Sequence, residues 1–210
     1  MKPIPFTTEE VKAILAGRKS QTRRVIKPQP EGEVLNTFPC SYAFRPGFGR
    51  YGFVINGREP SNIQYIDVKY EIGDILWVQE TWANDPDGVI FKADYVDWQL
   101  EKFASMDYKW KPSIHMPREA ARLFLKVTSV RVERLKDISE ADAKAEGITD
   151  GGCTNCGNSS FPNPCGCDKP SPDYVDSFYW LWDSINEKRK GCALIYNPWV
   201  WVYEFERVMG

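Results

Sequence analysis

A chain of 210 residues, 42% hydrophobic and 27% charged, has the make-up of a soluble globular protein and is long enough to bury a sizeable core. No apolar run approaches the ~20 residues of a membrane-crossing helix, and Met1-Lys2-Pro3-Ile4-Pro5-Phe6 lacks the apolar centre of a secretory signal, so no membrane partner is expected and the expected location is cytoplasmic. A formal net charge of −2 excludes a global basic field, but residues 1–30 hold seven Lys and Arg against Glu9 and Glu10, so a nucleic acid would be engaged locally or as a small piece.

The first predicted element is a helix. Thr7 and Glu10 can form a capping box, Val11, Ile14 and Leu15 recur at helical spacing, and Gly17 is placed as the left-handed stop. Gln21 to Lys27 alternates as a strand, with Thr22 and Arg24 on one face and Arg23 and Val25 on the other, before Pro28 and Pro30 end it. Residues 28–72 mix prolines, glycines and aromatics; one strand is expected around 51–56 and a turn at Asn56-Gly57, and the stretch reads as an insertion on the core. Beyond the Gly73-Asp74 turn, 74–82 is a strong strand, 89–95 another, and 110–118 an extended loop braced by Pro112 and Pro117.

The longest β signal runs from Arg122 to Leu135, followed by a short helix capped by Ser139 and stopped by Gly147. Asp173 to Asn186 is an amphipathic helix whose buried stripe is Val175, Phe178, Tyr179, Trp182 and Ile185. A closing strand from Pro198 to Val208 puts Trp201, Tyr203 and Phe205 on one face. Five or so strands with a few helices and no internal repeat predict a single α+β domain over 1–210, built as a small, mostly antiparallel β-barrel with helices outside it.

Candidate chemistry begins in Gly17-Arg18-Lys19-Ser20-Gln21-Thr22-Arg23-Arg24, where a lysine, hydroxyls and three arginines crowd the junction of helix and strand. A threonine hydroxyl needs a base to take its proton, and a lysine serves if neighbouring cations or burial lower its pKa. A carboxylate would complete the set, and Glu146, Glu80 and Asp142 are all candidates. Four of the six cysteines fall at Cys153-x-x-Cys156 and Cys165-x-Cys167 in a Cys-rich loop at about 150–172. That donor set suits a closed, structural tetrahedral zinc; a disulfide or free thiols are the alternatives. His115, the single histidine, rules out schemes that need two and reads as a structural residue in its proline-braced loop.

Gly17-x-Lys19-x-x-Thr22-x-Arg24 resembles the signature of the ASCH domain family, a relative of the PUA fold associated with RNA. The Gly73-Asp74-Ile75-Leu76-Trp77-Val78 strand, the long strand with the Ile138–Gly147 acidic helix, and the aromatic closing strand resemble family features in the same order. Roughly half of the chain corresponds to the family core, and 28–72 and 150–172 resemble insertions of larger, often phage-encoded, members. Small bacterial members are acetylcytidine amidohydrolases whose catalytic lysine, threonine and glutamate match Lys19, Thr22 and Glu146. The resemblance implies that Lys19 activates Thr22 to attack the acetyl carbonyl, that Glu146 assists proton transfer, and that Arg24 holds the oxyanion or the ligand. Arg18 and Arg23 are further ligand-binding candidates, and Trp82 or Trp110 could stack a base. The expected partner is therefore a nucleoside or single-stranded RNA. Three functions follow: amidohydrolase, non-catalytic RNA- or modified-base-binding module, or ribonuclease in the same basic cleft.

Overall fold

The computed structural model describes residues 1–30, 37–39, 50–54, 63–86, 88–105, 108–149, 152–153 and 172–209. In chain order the elements are β1 (Lys2–Pro5), α1 (Thr8–Leu15), β2 (Gln21–Val25), β3 (Thr37–Pro39), β4 (Arg50–Val54), β5 (Ile63–Asp67) and β6 (Ile75–Gln79). There follow β7 (Trp82–Asp85), β8 (Gly88–Phe91), α2 (Asp97–Ser105), β9 (Phe124–Arg134), α3 (Glu140–Ala145), β10 (Gly152–Cys153), β11 (Pro172–Asp173), α4 (Tyr174–Asn186) and β12 (Trp199–Val208). The architecture is α+β and mostly antiparallel.

Among the described residues the central sheet has five strands in the order β1-β6-β9-β12-β2, antiparallel except for β1 beside β6. Period-two alternation along β12 divides the core between its faces. Trp201, Tyr203 and Phe205 enter one cluster with Ile4, Val11 and Leu125, while Val200 and Val202 enter another with Leu135, Phe178 and Trp182. Helix α1 covers the first face and helices α3 and α4 the second.

Among the described residues the ladder does not return from β2 to β1, so the sheet is open and not the expected closed barrel. The reason lies in β1. Proline has no N–H to donate, and Pro3 and Pro5 at alternate positions leave one edge of this strand without donors. Side chains take the carbonyls instead: the Tyr70 hydroxyl donates to Pro3 O at 2.7 Å and Arg24 Nη2 donates to Pro5 O at 2.8 Å. Arg24 lies on β2, so the two edge strands face each other across a gap bridged by side chains.

Other boundaries shifted. The expected strand over 74–82 breaks after Gln79, and Trp82 starts a separate hairpin of β7 and β8. The strand expected over 89–95 ends at Phe91 and turns into a 3-10 segment, Lys92–Asp94. The insertion contains its own three-stranded antiparallel sheet, β3-β4-β5, and its end is core, because Ile66, Val68 and Tyr70 are buried in the main cluster. The turn expected at Asn56-Gly57 lies outside the described residues.

The predicted capping box of Thr7 with Glu10 forms, and the predicted Ser139 cap proves to be a second capping box, with Asp142. Gly17 and Gly147 follow the two helices with φ of +71° and +96°. At Gly147 a Cβ would also stand 3.0 Å from Ala13 Cβ and 3.1 Å from Lys19 Cβ. Gly147→Ala is therefore expected to lower stability by about 1–3 kcal/mol in urea unfolding, whereas alanine at exposed Gly17, which meets no neighbour, costs only the backbone strain.

Candidate functional site

The turn after α1 is held from two sides. Arg18 N and Lys19 N both donate to Ala13 O, at 2.9 and 3.2 Å, and Ser20 N donates to Ala145 O at 2.9 Å. Lys19 and Glu146 form an isolated antiparallel bridge, so the end of α3 lies against the start of β2. Ser20 O accepts from Phe205 N, next to a register shift in β12 between Glu204 and Phe205. These backbone contacts deliver the Lys19 side chain inward, 3% exposed.

Lys19 Nζ donates to Glu146 Oε2 at 2.7 Å and to Glu146 O at 2.9 Å, and Glu10 Oε1 lies 3.6 Å away. The other oxygen of Glu146 accepts from Arg23 Nη1 at 3.3 Å. The Arg23 side chain is fully buried, and its Nη2 reaches Glu133 at 2.9 Å and Asp142 at 3.4 Å. Thr22, 2% exposed, sits on the opposite face of β2 from Arg23 and beside Arg24. Lys19, Thr22 and Glu146 line one cavity of about 790 Å³, together with Arg23 and Arg24. Its walls include Phe6, Tyr70, Trp201 and Tyr203 on one side of β2, and Phe178 and Trp182 of α4 on the other. Among the described residues, six cationic side chains line it against three carboxylates.

Glu10 has two duties. One oxygen accepts from Thr7 N at 2.8 Å and from the Thr7 hydroxyl at 3.0 Å, closing the capping box, while the other faces Lys19. Burial alone would push its carboxyl up; the Lys19 ammonium, the Arg24 guanidinium and the Thr7 hydrogen bonds outweigh that and hold it below the ordinary value of 4.5. Asp142 is likewise held low: burial opposes ionisation, but the Ser139 hydrogen bonds and the charges of Arg23 and Arg131 prevail.

The other sequence candidates separate. Arg18 is exposed and donates to Gly147 O at 3.0 Å, outside the cavity. Trp82, expected to stack a base, is instead buried with Phe91 and Met116, because the break after Gln79 carries it into the hairpin; its neighbour Thr81 lines the cavity. Trp110 packs among Tyr95, Phe103 and Tyr108. Glu80 belongs to another ion pair, where both its oxygens accept from Arg122 at 2.9 Å; burial pushes its carboxyl up despite that fork. His115 is exposed on a 3-10 turn. The side chains of Cys153, Cys156, Cys165 and Cys167 lie outside the described residues, and among the described residues no cluster of His, Cys, Asp and Glu could hold a metal. Sequence reasoning did not place Glu10 in the site, since its capping role accounted for it, nor did it find Glu133 or the α4 wall.

Compared with protein-family models, curated proteins and solved structures, the chain matches none.

Two outcomes are expected. Arg23→Ala leaves Glu133, Asp142 and Glu146 without their shared cation and lowers stability by about 3–5 kcal/mol in denaturant unfolding. Glu10 has a depressed folded-state pKa, so the stability it contributes is present above the ordinary value of 4.5 and lost as pH falls through the folded value. Acidification from neutral pH should therefore destabilise the native protein more steeply than Glu10→Gln, measured by urea midpoints across that range.

Proposed function

We propose that the protein is a nucleoside- or RNA-directed member of the ASCH-like group that hydrolyses an exocyclic acetamide, as in acetylcytidine, with Lys19, Thr22 and Glu146. The observation that carries this reading is a buried lysine–glutamate pair opening into an aromatic-walled, cation-rich cavity that Thr22 also lines. Aromatic faces suit a base, and a few convergent polar groups fix its orientation.

In this scheme the base fills the cavity and displaces water, which lets the Lys19 ammonium pass a proton to Glu146. Thr22 Oγ attacks the acetyl carbonyl as its proton goes to Lys19, and Arg24 stabilises the oxyanion. Glu146 returns its proton to the exocyclic nitrogen as the C–N bond breaks, releasing cytidine and leaving an acetyl-threonine ester. Water then cleaves the ester to acetate and restores Thr22. Arg23 orients the Glu146 carboxylate and stays clear of the substrate. The sequence resemblance of the Gly17–Arg24 stretch supports the same assignment. We further propose that Cys153, Cys156, Cys165 and Cys167 hold a structural zinc that closes their loop.

One observation favours a second reading, a module that binds the modified base without cleaving it. Lys19 directs its hydrogen bonds to the Glu146 carboxylate and carbonyl, as a purely structural pair would.

The two readings separate by mass spectrometry of cytidine and acetate released from acetylcytidine. The first predicts that Lys19→Ala, Thr22→Ala and Glu146→Gln each lower kcat by about 10²–10⁴-fold. Turnover surviving Lys19→Ala removes the catalytic set, and base binding with no turnover by the native protein selects the second reading.

A further inference from the structure

The cations of the cavity fall into two groups. Those inside are compensated: Lys19 by Glu146 and Glu10, and Arg23 by Glu133, Asp142 and Glu146. Arg24 is taken up by Pro5 O and stands 5.1 Å over the Phe6 ring. The outer group is Lys27, Lys69 and Arg189, which line the same cavity from the segments after β2, β5 and α4. All three are exposed, and among the described residues none forms an ion pair. Arg189 donates at 3.4 Å to the neutral Asn186 side chain, and Lys69 Nζ stands 5.1 Å over the Tyr70 ring. Among the described residues, the exposed carboxylate Asp67 lines the cavity with them.

The shape of the cavity adds a second constraint. β2 is an edge strand, and residues from both of its faces line the cavity: Thr22 and Arg24 on one, Arg23 and Val25 on the other. The space therefore reaches both faces of β2 at its free edge, from Lys19 and Thr22 to the α4 wall and Arg189. A ligand that touches both faces must be extended.

We propose that the exposed cations lining this cavity, Lys27, Lys69 and Arg189, bind ligand phosphate, so that the ligand is a phosphorylated pyrimidine nucleoside unit rather than a bare nucleoside. The inference rests on the nucleoside reading of the space beside Lys19 and Thr22. Exposed cations without an ion-pair partner among the described residues attract phosphate without the desolvation cost of a buried pair, and their contribution is screened by salt. The unit can be a free nucleotide or a residue in a single strand, since both offer the same phosphate chemistry.

Calorimetric titration of the full chain with cytidine, cytidine monophosphate and a short single-stranded oligocytidine, each plain and acetylated, tests the subsite. The phosphorylated ligands should bind at least about tenfold more tightly than the matching nucleoside, and oligonucleotide affinity should fall with salt at a log–log slope of about −2 for three contacts. A gain complete with the monophosphate assigns the site to a nucleotide; a further gain with the oligonucleotide assigns it to a strand. Lys27→Ala/Lys69→Ala/Arg189→Ala should abolish the difference between phosphorylated and bare ligands, while Lys27→Arg/Lys69→Arg keeps it. Equal affinities in the native protein, or a gain that survives the triple variant, overturn the proposal. Deacetylation of free acetylcytidine with no phosphate gain removes the subsite and leaves the proposed function standing. A phosphate gain dependent on the three cations, without deacetylation, keeps the subsite and removes the catalysis.

Discussion

The ion pair between Lys19 and Glu146 ties together two segments 127 positions apart in the chain. Its side chains are 3% and 6% exposed, and the backbones of the same two residues form a bridge. Charges this far from water carry a desolvation cost that a well-packed apolar pair would avoid, so such a pair is weak evidence of a stability device. The surroundings are arranged to sustain it: Arg23 takes the second oxygen of Glu146, and Glu133 and Asp142 balance Arg23 in turn. Gly147 leaves room for the Lys19 stem. Buried charges supported in this way along the wall of a cavity are the physical basis for treating the region as a site.

The open sheet is what gives the pair a cavity to face. A β1 edge stripped of donors by Pro3 and Pro5 cannot accept β2 as a hydrogen-bonded neighbour. Tyr70 and Arg24 satisfy the leftover carbonyls, and between the two edges Phe6, Trp201 and Tyr203 wall the space where a closed barrel would have paired strands. The end of the insertion contributes through Tyr70, which makes that segment part of the core and part of the cavity wall. Helix α4 supplies the opposite wall with Phe178 and Trp182, so elements from both ends of the chain shape one space.

Charge is partitioned along this cavity. Inside, each lysine or arginine is matched by carboxylates, a carbonyl or an aromatic face, which suits groups that must be held in fixed geometry. At the rim the cations are exposed and, among the described residues, have no carboxylate partner, which suits attraction of a mobile anion. The small net charge of the whole chain conceals this division, because the surplus is local.

Local signals in the amino-acid order were enough for α1, α3 and α4, the long strand and the basic turn, but did not anticipate α2. Thr7 with Glu10 and Ser139 with Asp142 encode caps within four residues, and the alternation of β9 and β12 reports burial on one face or the other. They also placed Lys19 and Thr22 together, since the two are three positions apart. Choosing Glu146 over Glu80 and Asp142 by residue type was not possible: each is an acid beside a strand or helix end, and only the fold sends Glu80 to Arg122 and Glu146 to Lys19. Trp82 misled for the same kind of reason, because one break in a strand turned its ring into a different cluster. The failure of the sheet to close, the second duty of Glu10 and the α4 wall depend on contacts between distant segments. Short-range sequence determines what a stretch can form by itself; which distant charges share a cavity is decided when the sheet curls and the helices pack on it.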